Sequence, residues 1–253
     1  MKNSRLYQPE ASSGTGTSAT AMIRSMPRRG KFITFEGLDG TGKSTQMRKL
    51  AAALRADGNR VVETREPGGT VIGEKIRGVL LDSSTENLDP VAEMAMMFAS
   101  RAQHIAEVIR PALDRGEIVL CDRFTDSTEA YQGSGRKLGN EVILTLHRTV
   151  CGGLQPDLTI LLESQPEASL GRARERNRHA AERAKERKSK QADENRFEQE
   201  QQGFFLRVRD GYRSIARREP RRVVTVDASG MPAQTHQKIT DLVWRKLRLG
   251  LHT

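Results

Sequence analysis

Residues 37–44 read Gly-Leu-Asp-Gly-Thr-Gly-Lys-Ser and fit the pattern G-x-x-x-x-G-K-[ST]. Each residue type there suits a polyphosphate. Gly37, Gly40 and Gly42 permit tight backbone turns, so that amide N–H groups converge on phosphate oxygens. A helix opening near Lys43 adds partial positive charge at its N-terminus. Lys43 is placed for the β- and γ-phosphates, the Ser44 hydroxyl for Mg2+, and Thr45 for the α-phosphate. Leu38, Asp39 and Thr41 complete the loop. A chance glycine-rich turn is the alternative. The apolar run Phe32–Phe35 just before the loop opposes it, because the motif requires a strand on one side and a helix on the other. Such sites use a second acidic group to hold the metal, directly or through water. Asp122 ends the apolar run Ile118–Cys121 and stands where that group is expected. Its alternative role is a strand-end residue that caps the next turn. Arg123 beside it favours a loop that handles phosphate.

These residues need elements to carry them. Short apolar runs at 32–35, 60–64, 118–121, 158–162 and 222–226 read as strands. Helices are expected over 43–56, 72–81, 89–115, 140–151, 197–218 and 232–248, with another starting near Pro166. Strands alternate with helices throughout, which is the pattern of a five-stranded parallel sheet covered on both faces. One domain, residues 29–253, follows from this. Residues 1–28 are small and polar without periodicity and read as a disordered extension. They lack the apolar central run of a secretory signal.

The 253 residues carry 42 Lys and Arg against 32 Asp and Glu, a net charge of +10. That surplus invites a nucleic-acid reading. It lies in residues 1–31, 172–202 and 203–253, whereas residues 32–171 hold more acidic than basic groups. No nucleic-acid motif accompanies it. Aromatics are only 4%, which disfavours a surface for stacking single strands, so no nucleic-acid partner is expected. Two cysteines are too few for a disulfide framework, and a reduced, cytoplasmic setting follows. No apolar run reaches the roughly 20 residues of a membrane span.

The segments FEGLDGTGKST (35–45), TREPGGT (64–70), FASRAQH (98–104), CDRFTDSTEAYQG (121–133) and QPDLTILLE (155–163) together resemble bacterial thymidylate kinases. Their order and spacing match, over about residues 31–248. The resemblance implies a three-layer P-loop NTPase fold. It implies transfer of the ATP γ-phosphoryl to dTMP, giving dTDP and ADP for dTTP synthesis, and a homodimer packed through helices. By the same match, Arg123 belongs to the dTMP phosphate and Arg101 to the thymine carbonyl O4. Arg65 and Pro67 belong to the acceptor-side loop, and Asp39 accepts from the sugar 3′-OH. Tyr131 crowds the sugar C2′ face, while Thr128 and Gln132 border the base. Two substrates bearing phosphate must be held head to head, and arginines suit the space between them, because a guanidinium binds phosphate through paired hydrogen bonds. Taken singly, Arg101 could be a helix-surface residue, Arg65 a strand-end charge, and Asp39 a helix cap.

Two features depart from the family's pattern. An aromatic usually stacks on thymine four residues before the helix arginine. Here Met97 holds that position and Phe98 follows it. One residue turns a helix by about 100°, so the two cannot face the pocket equally. Either Met97 offers a softer surface or the helix register shifts. The second departure is in the basic segment 171–202, which resembles a lid closing over the transferred phosphoryl group. Its R-A-R-x-R spacing points to Arg174 and Arg176, with an insertion around 179–192. Asn195-Arg196-Phe197-Glu198 resembles a closing motif with Asn in place of Asp. His104 and His147 read as structural or surface residues, and Cys121 as a small core residue.

Overall fold

The computed structural model describes residues 29–85, 87–165, 171, 175 and 196–247. Five strands form a wholly parallel sheet: β1 (Phe32–Glu36), β2 (Val61–Arg65), β3 (Ile118–Asp122), β4 (Leu158–Glu163) and β5 (Val223–Asp227). Their spatial order is β2-β3-β1-β4-β5. The chain leaves β1 in one direction and later crosses to its other side, so the sheet has a switch point at β1 and β3. Ligands of open α/β sheets bind at the carboxyl ends of strands in such a place. The register aligns Phe35 with Asp122, which sets the loop after β1 beside the end of β3.

Alternation along each strand builds the layers. Ile33 and Phe35 of β1 and Leu120 of β3 face α1 (Lys43–Ala56) and α8 (Pro232–Leu247), where they meet Leu50, Leu54, Ile239 and Val243. Phe32, Val119 and Cys121 face the opposite way, onto Met94 and Phe98 of α3 (Pro90–His104) and Ile143 of α6 (Asn140–Cys151). Leu38, Leu161 and Val223 pack on Phe205, Val208 and Ile215 of α7 (Gln202–Arg218). Burying each such side chain stabilises the fold by roughly 1.5–3 kcal/mol. The expected parallel sheet is present, and the expected helices 43–56 and 140–151 match to the residue.

Three expectations need correction. The helix expected over 89–115 is α3, then a π-helical turn at Ile105–Ile109, then α4 (Arg110–Asp114). Pro111 explains the interruption: it cannot donate a backbone hydrogen bond, and its ring crowds the preceding turn. The helix expected from 197 begins at Gln202, after a 3-10 turn at Arg196–Gln199. Between β3 and α6, where no helix is expected from sequence, the chain winds into α5 (Thr125–Thr128) and a wide π-helical segment, Glu129–Gly135. The helix expected from Pro166 lies largely outside the described residues.

The remaining helix, α2 (Val71–Leu81), starts on a Thr70 cap whose Oγ1 accepts from the Gly73 amide at 2.9 Å. α3 starts on Asp89, whose carboxylate accepts from the Val91 and Ala92 amides, with Pro90 at the first turn. These caps fix the two helices that flank the loop after β2.

Candidate active site

Gly37 opens the loop after β1 with φ 128°. A Cβ there would stand 2.3 Å from the Leu162 carbonyl oxygen, so only glycine lets the loop pass this close to β4. Thr41 closes the turn by donating from Oγ1 to the Leu38 carbonyl at 2.8 Å. Lys43 is buried, and its Nζ donates to the Gly37 and Leu38 carbonyls at 3.1 and 3.0 Å. Burial, then the nearby Arg123 charge, lowers its pKa. An ammonium so poorly solvated gains strongly from an incoming anion. Ser44 Oγ donates to Asp122 Oδ2 at 2.7 Å. The other carboxylate oxygen, Asp122 Oδ1, is buried and has no hydrogen-bond partner among the described residues. One hydroxyl and one unsatisfied carboxylate oxygen side by side form a hard-oxygen donor set of the kind Mg2+ takes, so the residues present fit the ion. Thr45 lies exposed on the first turn of α1.

Arg123 has φ 71°, unusual for a residue with a Cβ. Its amide donates to the Phe35 carbonyl at 3.0 Å, and its guanidinium overdetermines the pose. Nη2 meets Asp39 Oδ1 at 2.8 Å and the Tyr131 hydroxyl at 3.2 Å. Nη1 meets Ser127 Oγ at 3.0 Å and the Tyr212 hydroxyl at 3.1 Å. The guanidinium carbon lies 4.9 Å from the centroid of the Tyr131 ring. Tyr131 is itself walled edge-on by Phe197, Phe204 and Tyr212. Beneath this group Glu36 is fully buried. Its carboxyl accepts from the Phe124 amide at 2.7 Å, Ser127 Oγ at 2.6 Å and the Tyr212 hydroxyl at 3.0 Å. Burial, and secondly the Asp126 charge, push it up to about 7.

Arg101 is 2% exposed. Nε donates to Glu66 Oε2 at 2.6 Å and Nη2 to Thr128 Oγ1 at 3.0 Å. Phe98 and Phe124 lie 5.1 and 5.2 Å from its guanidinium carbon. Nη1 is buried without a partner among the described residues. A buried cationic N–H left open is expensive unless a ligand acceptor meets it. Thr128 and Arg101 thus meet directly. Gln132 donates to the buried carboxylate of Glu93 at 2.7 Å, which also receives Arg136 and Arg196.

Met97 and Phe98 separate as the helix geometry requires. Phe98 is buried among Phe32, Phe124 and Ile143, behind Arg101. Met97 is half-buried on the other side, against the cluster that holds Leu38, Tyr131 and Phe204. Arg65 aligns with Asp122 at the sheet edge, but its exposed side chain turns to Glu74 Oε2 at 3.0 Å. It does not join Arg101 and Arg123. Pro67 follows a cis peptide bond, and its carbonyl accepts from Arg77 at 3.0 Å. The loop's Gly68 and Gly69 amides are held by Ser100 Oγ and Glu74 Oε1. Arg174 and Arg176 lie outside the described residues.

Several residues central to this geometry were not anticipated from sequence: Glu36, Glu66, Glu93 and Tyr212. Glu36 and Glu66 lie within the segments 35–45 and 64–70 that were singled out, which is the only signal they gave. His104 is fully buried between Thr64 and Glu66, so it is no surface residue. His147 is buried too, bonded to Thr125 and Gln155. Cys121 is fully buried, and burial raises its thiol pKa.

The thymidylate kinase family model matches residues 35–239. The thymidylate kinase of Trichlorobacter lovleyi is 50% identical over 216 residues, 85% of this chain and 98% of that one. That of Pseudomonas syringae pv. tomato is 47% identical over 220 residues, 87% of this chain and 98% of its own. The crystal structure of thymidylate kinase from Ehrlichia chaffeensis superposes with a TM-score of 0.64 at 32% identity, covering 85% of this chain and 98% of that one.

Proposed function

The chain belongs to the thymidylate kinase family, and from that premise we infer how its own residues serve the reaction. It is a nucleoside monophosphate kinase that phosphorylates dTMP to dTDP with ATP. The triphosphate lies on the 37–45 loop, with Lys43 against its β- and γ-phosphates. Ser44 and Asp122 would hold Mg2+, which when bound would neutralise phosphate charge and orient the transferred group. Arg123 binds the dTMP phosphate, and Asp39, its partner, also takes the sugar 3′-OH. Arg101 gives its open Nη1 to the thymine O4, with Met97 against the base and Thr128 and Gln132 beside it. Tyr131 occupies the space a ribose 2′-OH would need. Arg174 and Arg176 bring positive charge to the phosphoryl group in flight. The acceptor phosphate is already a nucleophile, so no general base is required. What the protein supplies is alignment and charge.

One observation carries this reading. Two independently fixed guanidiniums, one buried and one half-buried, lie with the phosphate loop at the same edge of the sheet, and the buried one holds out an unmet N–H. The kinase domain spans residues 29–253, residues 1–28 lie outside the described residues, and the enzyme works in the cytoplasm. No helix among the described residues is long and apolar enough to cross a membrane. It functions as a homodimer. Val71, Ile72 and Val79 of α2 and Val91 of α3 are exposed on adjoining helices and would gain from cover by a second copy.

The test is ADP release from Mg-ATP against dTMP, dUMP, dCMP and dAMP. A preference for dTMP by orders of magnitude is expected. ATP binding without dTMP-dependent ADP release would overturn the acceptor assignments and leave the phosphate loop standing.

A further inference from the structure

Arg101 reads the base only if its guanidinium keeps one orientation. Among the described residues its one ion pair is the bond from Nε to Glu66 Oε2. Glu66 in turn is fixed from its other oxygen, where His104 Nδ1 lies 2.9 Å from Oε1. Arg101, then His104, hold this carboxyl below its ordinary range against the effect of burial, so it is a carboxylate and can only accept. His104 Nδ1 therefore carries a proton. The other ring nitrogen, Nε2, is 2.6 Å from Thr64 Oγ1 at the end of β2. The chain Thr64–His104–Glu66–Arg101 thus runs unbroken from the sheet to the open Nη1. All of His104, Glu66 and Arg101 are buried. Gly69 closes over it with φ 78°, and a Cβ there would stand 2.6 Å from His104 Nε2 and 2.7 Å from Thr64 Oγ1. The ring has no room to turn.

Glu66, His104 and Cys121 also bring potential metal-ligand atoms within 4.8 Å of one another. Both imidazole nitrogens and both Glu66 oxygens already have protein partners, and Cys121 Sγ donates to the Arg123 carbonyl at 3.0 Å. The cluster is a hydrogen-bonded node.

We propose that His104 is a positioning residue for base selection, acting through Glu66 to aim Arg101 at a carbonyl acceptor. This rests on the assignment of Arg101 to thymine O4. A donor held in one place accepts a 4-carbonyl and opposes the 4-amino group of cytosine, which also donates. If the guanidinium swings, that discrimination weakens, because selection by polar groups depends on leaving the wrong partner unpaired.

The experiment measures kcat and KM for dTMP and dCMP, and KM for ATP, in His104→Leu, His104→Asn, Arg101→Gln and the double variant His104→Leu/Arg101→Gln. The Asn amide nitrogen can reach Glu66 from the position of Nδ1. His104→Leu is expected to lower the dTMP-to-dCMP ratio of kcat/KM by about tenfold or more, the size of a lost hydrogen bond to a charged group, through KM for dTMP and not for ATP. His104→Asn should restore most of the ratio. In the Arg101→Gln background, His104→Leu should change the ratio no further. A wild-type ratio in His104→Leu, no rescue by Asn, or additive losses in the double variant would overturn the proposal. If His104→Leu does not fold, Thr64→Val removes only the hydroxyl behind the ring, and an unchanged ratio there overturns it equally. Arg101→Gln separates the two claims. If it leaves the ratio intact, the assignment of Arg101 to the base falls. If it lowers the ratio while His104→Leu does not, only the role of His104 falls.

Discussion

Replacing Glu36 by Gln should stabilise the protein at neutral pH and not at acid pH. Glu36 accepts three hydrogen bonds with no exposed surface, and burial raises its carboxyl from an ordinary 4.5 to about 7. The unfolded residue loses its proton near the lower value and the folded one only near the upper. Between them the unfolded chain binds fewer protons, so native stability falls as pH rises. Each tenfold change in proton affinity is worth about 1.4 kcal/mol, so the full penalty is about 3 kcal/mol, absent below the lower value and complete above the upper. Gln keeps the shape. Its oxygen can accept from the Phe124 amide, and its NH2 can donate to the Ser127 and Tyr212 hydroxyls, which accept as well as donate. The assay is urea unfolding of both proteins across this range. Subtracting one curve from the other cancels the titration of groups that Glu36 does not influence, which leaves Glu36 and its neighbour Asp126. The stability of Glu36→Gln minus that of wild type should climb by about 3 kcal/mol from about pH 4.5 to above about pH 7, most steeply between. A flat difference would refute the argument, because it would mean that Glu36 titrates alike in both states.

Other perturbations give distinct signatures. Lys43→Ala should abolish nearly all ADP release with little loss in thermal melting temperature, since the buried ammonium rests on two carbonyls and on Asp39 at 3.7 Å, a carboxylate that keeps Arg123 as its partner. Arg123→Ala should raise KM for dTMP by about 100-fold with KM for ATP largely kept, as expected for removing a half-buried charged partner of a phosphate; steady-state kinetics with each substrate varied separates the two. Tyr131→Ala should admit the ribonucleotide analogue of dTMP, and an unchanged ratio of deoxy to ribo turnover would remove the assigned steric role. Glu93→Ala strips Arg136, Arg196 and Gln132 of their shared buried acceptor and should cost about 3–5 kcal/mol in chemical denaturation.

The phosphate loop and the sheet were legible in the sequence because both are local. A strand, a glycine turn and a helix stand in sequence order, and strand-by-strand alternation sets the layers. The segment Thr125–Gly135 was not legible, because its helical turns show no apolar period. Thr125, Asp126, Ser127, Thr128 and Glu129 are all buried, and they are satisfied by distant partners. Arg222 meets Asp126 with two nitrogens, and Arg218 meets Glu129 likewise. A polar run whose partners lie about ninety residues away looks like a loop until the sheet is assembled. The sequence posed Met97 against Phe98, and packing puts the two side chains in different clusters. Arg101 and Met97 are one helical turn apart, and Phe98 rotates into the core beneath them.

The three arginines first grouped by type differ in what holds them, and that difference follows from where their partners lie. Arg101 is buried and Arg123 half-buried, and each is fixed by a carboxylate, Glu66 or Asp39, as well as by neutral hydroxyls. Each is also stacked against aromatic rings. Such a guanidinium loses little entropy on binding, because the fold has already confined it. Arg65 is half exposed, and its one carboxylate partner, Glu74, is exposed as well. A pair of that kind is worth little and breaks readily. Arg65 is therefore free to leave Glu74 when a second anion arrives, whereas Arg101 and Arg123 must receive their ligands where they stand. On the proposed assignment the two fixed cations select the acceptor, and substituting Arg65 should then alter the strength of acceptor binding with little change in which base is chosen.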